Sequence, residues 1–538
     1  MNLKHAYLCF PALFVAGVSL LTGAANAAAP GIQGTEFHLR AEENFISQPD
    51  GSSVYSWGYG CTDISTVAFA PAMPNNNCPS MQIPGPTLIV NEGEEFEVTL
   101  HNALPAAAGN TSILFPGLRL VSVAGGVPGL LTAEAPAGAD VTYHLVADSP
   151  GTRSYYSGTQ SDLQIEMGLY GAVIVLPATG TTAVTPTCPT HNPNAETLTE
   201  TDFRLSPTGA AYHIPESCYD REYLFQFSEI DPRIHQQVQD QLQSIAACNA
   251  NTATHPACVT GLNVETEPYH PAYYMINGRS MPDDMDPNYA LQYPHQPYNG
   301  NPHMHPGELV LLRVIGTGRL QHPFHEHGNH VRVLARDGNL VLSRTDATKI
   351  AGPLLFTTTT TPGQALDGIF YWTGKGLNWD VFGHHAADGV NAATATACVP
   401  DANGYYTAAS GAPLTAPNYY EWCGDHNKAL EARPFGNVGS GGPVTLPDAN
   451  ILALGPWYGG SPYLGPEATA RAAGATPIPP SGTIANPSTG DPGQAEAGFA
   501  FMWHSHNERE LTTNNAFPGG MMMMMLVDPR AFVIDESK

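Results

Sequence analysis

The sequence predicts an all-β protein of sandwich type, and three observations predict it. The 538 residues include 54 glycines and 48 prolines, a density of breakers that suits many short strands joined by turns better than long helices. Short apolar runs recur between turn signals from Phe37 to Pro177, among them 87–90, 95–100, 141–146 and 170–176. Repeated strands at this spacing argue for a β-sandwich. A second series starts at 223–227 and continues through 309–315 and 330–335.

Taken in chain order, the first element is a leader. Lys4 and His5 precede an apolar run from Ala6 to Leu21 and small residues ending Ala25-Asn26-Ala27. That is the pattern of a secretory signal peptide over 1–27, cleaved near Ala27. The run is short for a bilayer span of about 20 residues, so the expectation is an exported, periplasmic or secreted protein with no membrane insertion. Residues 35–177 form the first expected domain, the Thr- and Pro-rich stretch 178–218 a linker, and 219–538 the second domain. One helix is expected from Pro232 to Ala247, which has helical composition and no internal proline. From about 379 to 498 Gly, Ala, Pro and Asn dominate, apart from Tyr419-Tyr420-Glu421-Trp422, which reads as a long, loop-rich insertion.

Eight cysteines follow the leader: Cys61, Cys78, Cys188, Cys218, Cys248, Cys258, Cys398 and Cys423. Their even number, the oxidising destination and the lack of a CxxC pair favour disulfides. Pairing between sequence neighbours, with Cys398 and Cys423 pinning the insertion, is one of the 105 connectivities that eight cysteines allow. The chain carries 21 Lys and Arg against 48 Asp and Glu, a net charge of −27. Such a surface repels nucleic acid and anionic lipid and draws in cations, so nucleic-acid binding is not expected.

The residues that carry chemistry are histidines. Four fall in Gln321-His322-Pro323-Phe324-His325-Glu326-His327-Gly328-Asn329-His330, and two more in Met502-Trp503-His504-Ser505-His506. Side chains alternate faces along a strand, so both members of a His-x-His pair point the same way. Two such pincers, His325 with His327 and His504 with His506, offer four imidazoles, a set that suits copper, zinc, iron or nickel far better than calcium or magnesium. Copper leads in affinity order, with zinc the less favoured ion. His303-Met304-His305 is a third pair, at an expected loop-to-strand entry. The run Met521 to Met525 supplies thioethers that suit Cu(I) on one strand face and packing on the other.

Several ordered motifs resemble the multicopper oxidase family. Ile83-Pro84-Gly85-Pro86-Thr87-Leu88-Ile89-Val90-Asn91-Glu92-Gly93, Gly126-Val127-Pro128-Gly129, Gly151-Thr152 and Met167-Gly168-Leu169-Tyr170-Gly171-Ala172 look like its first cupredoxin domain. His322 to Gly328, with Met275-Ile276-Asn277-Gly278-Arg279 and Gly307-Glu308, resembles its C-terminal metal domain. The resemblance implies two cupredoxin-like Greek-key β-sandwich domains, the second holding the insertion. It also implies copper chemistry, in which a type 1 blue copper takes electrons from substrate and a three-copper cluster reduces dioxygen.

This chain departs from the family at both centres. The family's His-Cys-His reads His504-Ser505-His506 here, and a hydroxyl cannot replace the soft thiolate. The family's next histidine falls on Glu510, so only His322 remains of the type 1 trio and no blue copper is expected. Of the eight cluster histidines the N-terminal half is missing. Leu114-Phe115-Pro116 stands where one pair belongs, and Tyr156 and Gly158 hold the positions of the other. The resemblance gives His325 to the type 2 copper and His327, His504 and His506 to the type 3 pair, with His322 as a further candidate ligand. The expectation is one or two copper ions, with extra donors from Tyr156, Glu326, Glu508 or solvent. Three functions follow: a non-blue copper oxidoreductase acting on a small molecule or metal ion, a copper-binding, storage or tolerance protein without turnover, or a structural zinc or vestigial site.

Overall fold

The computed structural model describes residues 29–63, 77–178, 202–250, 258–375, 399–413, 460–463 and 498–527, with 69, 186, 188, 419, 420, 422, 424 and 534 singly. The expected leader, most of the expected insertion, and Cys398 and Cys423 lie outside the described residues. The N-terminal unit is a sandwich. A five-stranded sheet runs in the order Ser53–Cys61, Glu36–Ser47, Glu95–Asn102, Asp140–Val146, Arg119–Gly125. A four-stranded sheet, ordered Ile32–Gln33, Leu88–Asn91, Tyr170–Leu176, Gly151–Tyr156, faces it. Alternation explains the packing: in Glu95–Asn102 the residues Phe96, Val98 and Leu100 are buried while their neighbours are not. They join Leu39, Trp57, Leu88, Val90 and Val173 in one core.

The C-terminal unit repeats the plan. One sheet has the path Leu205–Ala210, Cys218–Ile230, Leu309–Gly316, Ala365–Tyr371, Val331–Arg336, Asn339–Leu340. The other runs His303–Met304, Met522–Val527, Gly498–Ser505, His322–Glu326, Thr357–Thr360. Between them lie Tyr223, Phe225, Phe227, Leu312, Phe324, Phe370 and Trp503. Residues 205–210, assigned to the linker by composition, pair with Cys218–Ile230 and belong to this sheet. The hairpin closes because the short connection returns the chain antiparallel to its neighbour, and the Cys188–Cys218 disulfide ties the same region.

Every residue of Cys218–Ile230 is buried. One face of the strand supplies the C-terminal core. The other, through Leu224, packs on Ile89, Ala172 and Ile174 of the N-terminal unit. The expected helix is present and runs Pro232–Ala250. Its buried residues Ile234 and Val238 enter the N-terminal core, so it straps the second unit to the first. Among the described residues no helix is long and apolar enough to cross a membrane. Disulfides join Cys61 to Cys78, Cys188 to Cys218 and Cys248 to Cys258, each between sequence neighbours.

Candidate metal centre

Two neighbouring strands bring the pincers together. His322–Glu326 pairs antiparallel with Gly498–Ser505, and His325 stands directly opposite His504. His327 and His506 each follow the last residue of their strand. The ring centroids of His325 lie 4.8 Å from His327, 5.4 Å from His504 and 4.7 Å from His506. Donor nitrogens of His325, His327 and His504 all lie within 4.8 Å of one another. His506 is the open member, with its side chain 53% exposed and Nδ1 3.5 Å from Glu508.

The rings are oriented from behind. His504 Nδ1 lies 2.7 Å from the Ser505 carbonyl oxygen, which in a neutral imidazole places the proton on Nδ1 and the lone pair on Nε2. His325 Nδ1 lies 2.7 Å from the Thr357 hydroxyl, which fixes the orientation of that ring. Trp503 Nε1 donates to the His327 carbonyl at 2.9 Å, fixing the backbone beside that ring. The Nε2 atoms of His327 and His504 are 3.2 Å apart. Two nitrogens bound to one tetrahedral ion at about 2.0–2.1 Å would stand about 3.3 Å apart.

Electrostatics agree with the geometry. Burial, then the charges of His327, His506 and His504, push His325 down to about 4. Burial likewise lowers His504. Neutral imidazoles at neutral pH are the form that binds metal. The donor set therefore suits one first-row transition ion.

His322, the further candidate, is placed elsewhere. Strand parity turns His322, Phe324 and Glu326 to the face opposite His325, and Phe324 is in the core. Both ring nitrogens of His322 are engaged, Nε2 with Glu229 and Nδ1 with Glu510, each at 2.9 Å. Burial alone would lower its pKa, but the two carboxylates outweigh it and raise it to about 9. Its lone pairs are consumed, so it is an imidazolium and not a ligand. The Ser505 hydroxyl donates to the same Glu510 carboxylate, and Asn507 Nδ2 reaches its other oxygen at 2.8 Å. The three positions that the family resemblance assigns to type 1 copper are thus adjacent here, with a buried ion triad standing in the metal's place.

The extra donors separate similarly. Glu326 shares the core face of His322, is held by Thr358 at 2.6 Å, and burial raises it to about 8. Tyr156 pairs with Leu114 and lies against Gly363, its hydroxyl 3.6 Å from where a β-carbon would sit. Gly363 follows Thr357–Thr360 at the end remote from the Thr357 that contacts His325. Neither residue is among the clustered donors, and Glu508 lies 3.5 Å from the exposed His506 ring. His303 and His305 are both buried, and burial with the nearby Arg221 charge takes His303 to about 3. Of the methionines, Met521, Met523 and Met525 fill the core. Sequence reasoning missed Thr357 and Glu229. Thr357 carries no local signal, and Glu229 lies 93 residues from its partner.

Comparison with known proteins finds a family likeness over part of the chain. Residues 77–180 match the family described as multicopper oxidase. That stretch contains Leu114, Pro116, Tyr156 and Gly158, where the resemblance expects histidines. The multicopper oxidase CTB12 of Cercospora beticola is 38% identical over 17% of this chain and 14% of its own length. Laccase abr2 of Aspergillus fumigatus is 38% identical over 18% of this chain and 16% of its own. The matches thus span less than a quarter of these curated relatives. The blue copper oxidase of Nitrosomonas europaea aligns over 91% of this chain and 85% of that one, at 14% identity and a TM-score of 0.42. That correspondence is too loose to carry an argument, and the family likeness is that of residues 77–180.

Proposed function

We propose that the chain is a divergent member of the multicopper oxidase family and an exported copper-binding protein with one non-blue copper ion, held by His325, His327 and His504. The observation that carries this is the convergence of three imidazole donors within 4.8 Å of one another. His506 borders the fourth position, where it either completes the set or yields to a small substrate. Bound copper would supply one-electron redox chemistry and an open coordination position. The chain's own residues then do the rest. Ser505 O and Thr357 hold two of the rings, and Glu508 beside His506 is placed to accept or release a proton at the exposed edge. The reading is therefore an oxidoreductase without a blue centre, acting on a small molecule or metal ion. Export is supported by the leader pattern and by three disulfides, which belong to oxidising compartments.

A second reading, copper storage or tolerance without turnover, draws on the thioethers beside the cluster. Metal analysis, EPR and oxygen uptake on the mature protein separate the two. About one copper per chain with a normal, non-blue Cu(II) signal and substrate-dependent oxygen uptake supports the enzyme. The same signal without uptake supports storage. Full copper retention by a His325→Ala, His504→Ala variant would remove the site.

A further inference from the structure

We propose that Met502, Met522 and Met524 form a thioether site for Cu(I) adjoining the histidine cluster on the same face of the C-terminal sheet. Met522–Val527 pairs antiparallel with Gly498–Ser505, so Met522 stands opposite His504 and Met524 opposite Met502. Met521, Met523 and Met525 point into the core with Phe501 and Trp503. Alternation therefore turns Met522 and Met524 to the other face, the one that carries His325 and His504. Directly opposed β-carbons lie about 4.5–5.5 Å apart and diagonal ones about 7–8 Å. Unbranched methionines, with three rotatable bonds, can bring their sulfurs together across that span. Met502 and Met524 are partly exposed and Met522 is 7% exposed, so the patch opens at one side.

Packing alone does not call for this composition. A strand face that needs only apolar cover is better served by Val or Ile, which favour the extended backbone. Yet five of the chain's 14 methionines fall in these two paired strands, and three share a face with imidazoles. Thioethers are soft ligands that select Cu(I), whereas imidazoles serve either copper state. The row thus gives the reduced ion a seat directly across from His504, beside the proposed copper site. The inference rests on the reading of His325, His327 and His504 as that site.

The test uses the mature full chain and a Met502→Leu, Met522→Leu, Met524→Leu variant, since Leu keeps volume and apolarity. Under anaerobic titration against a chromogenic Cu(I) chelator, the wild type should withhold about one equivalent more than the variant. Copper X-ray absorption should show a sulfur shell that the variant lacks, while both bind Cu(II) equally. Equal Cu(I) stoichiometry with no sulfur shell overturns the thioether site. If Cu(II) is then still bound and is lost in His325→Ala, the histidine reading survives on its own. Sulfur-bound Cu(I) with no Cu(II) binding by the wild type would overturn the histidine reading alone. Should the variant fail to fold, selenium-edge absorption on selenomethionine-labelled wild type decides: a copper neighbour on Cu(I) loading supports the site, and none overturns it.

Discussion

His322 and His325 are three residues apart on one strand, yet the protein holds the first near a pKa of about 9 and the second near about 4. Both are buried, and burial pulls both down. Company makes the difference. His322 faces two carboxylates, Glu229 and Glu510, whereas His325 faces three other imidazoles. Odd spacing along a strand sends the two rings to opposite faces, so a single short motif builds a buried cation on one side and a metal cage on the other. Proximity in sequence is therefore a poor guide to shared function, and parity a good one.

That contrast is broken most severely from the His322 side. A His322→Ala variant leaves Glu229 and Glu510 buried without their cation, which should cost about 3–5 kcal/mol in a denaturant titration. Copper content, measured on the same sample, should not change. Equal stability would mean that the triad is not charged.

pH separates the two sites next. In the metal-free protein, His322 keeps its proton up to about pH 9 when folded but only to 6.5 as a free side chain. Its contribution, about 3 kcal/mol, is full below pH 6.5 and lost as pH rises through 9. His325 has the opposite sign: held neutral down to about 4, it contributes fully above 6.5 and loses that contribution as pH falls through 4. Urea midpoints measured from pH 4 to 10 should decline on both limbs, and His322→Ala should flatten the alkaline one only.

On the cage side, His325→Ala should weaken copper binding by more than about 100-fold in a competition titration, since even outer residues cost 10–100-fold. A subtler change removes only the ring's support. Thr357→Val loses the hydroxyl beside His325 Nδ1 and should weaken copper about 10-fold without moving the alkaline limb.

Much of this was legible in the sequence, for identifiable reasons. The His-x-His spacing matches the two-residue period of a strand, so each pair had to share a face, and the alternating runs 95–100 and 141–146 had to be half-buried strands. Glu326, read as an extra donor, fails by that same parity rule, since it directly follows His325. The partners of His322 were not legible, because Glu229 and Glu510 lie 93 and 188 residues away and only the closed sandwich brings them in. The composition of 205–210 looked like a connection, and only its pairing with Cys218–Ile230 makes it a strand.

Cys218–Ile230, buried on both sides, makes the N-terminal unit part of the fold of the C-terminal one. Its outer face packs Leu224 against Ile89, Ala172 and Ile174, and Ile230 against Ile83 and Tyr170. Single substitutions in the N-terminal unit away from Ile89, Ala172 and Ile174 leave that seam in place. Deleting the domain would instead expose a continuous apolar seam and the docking site of the Pro232–Ala250 helix. The N-terminal half thus covers and braces the half that carries the histidine cluster.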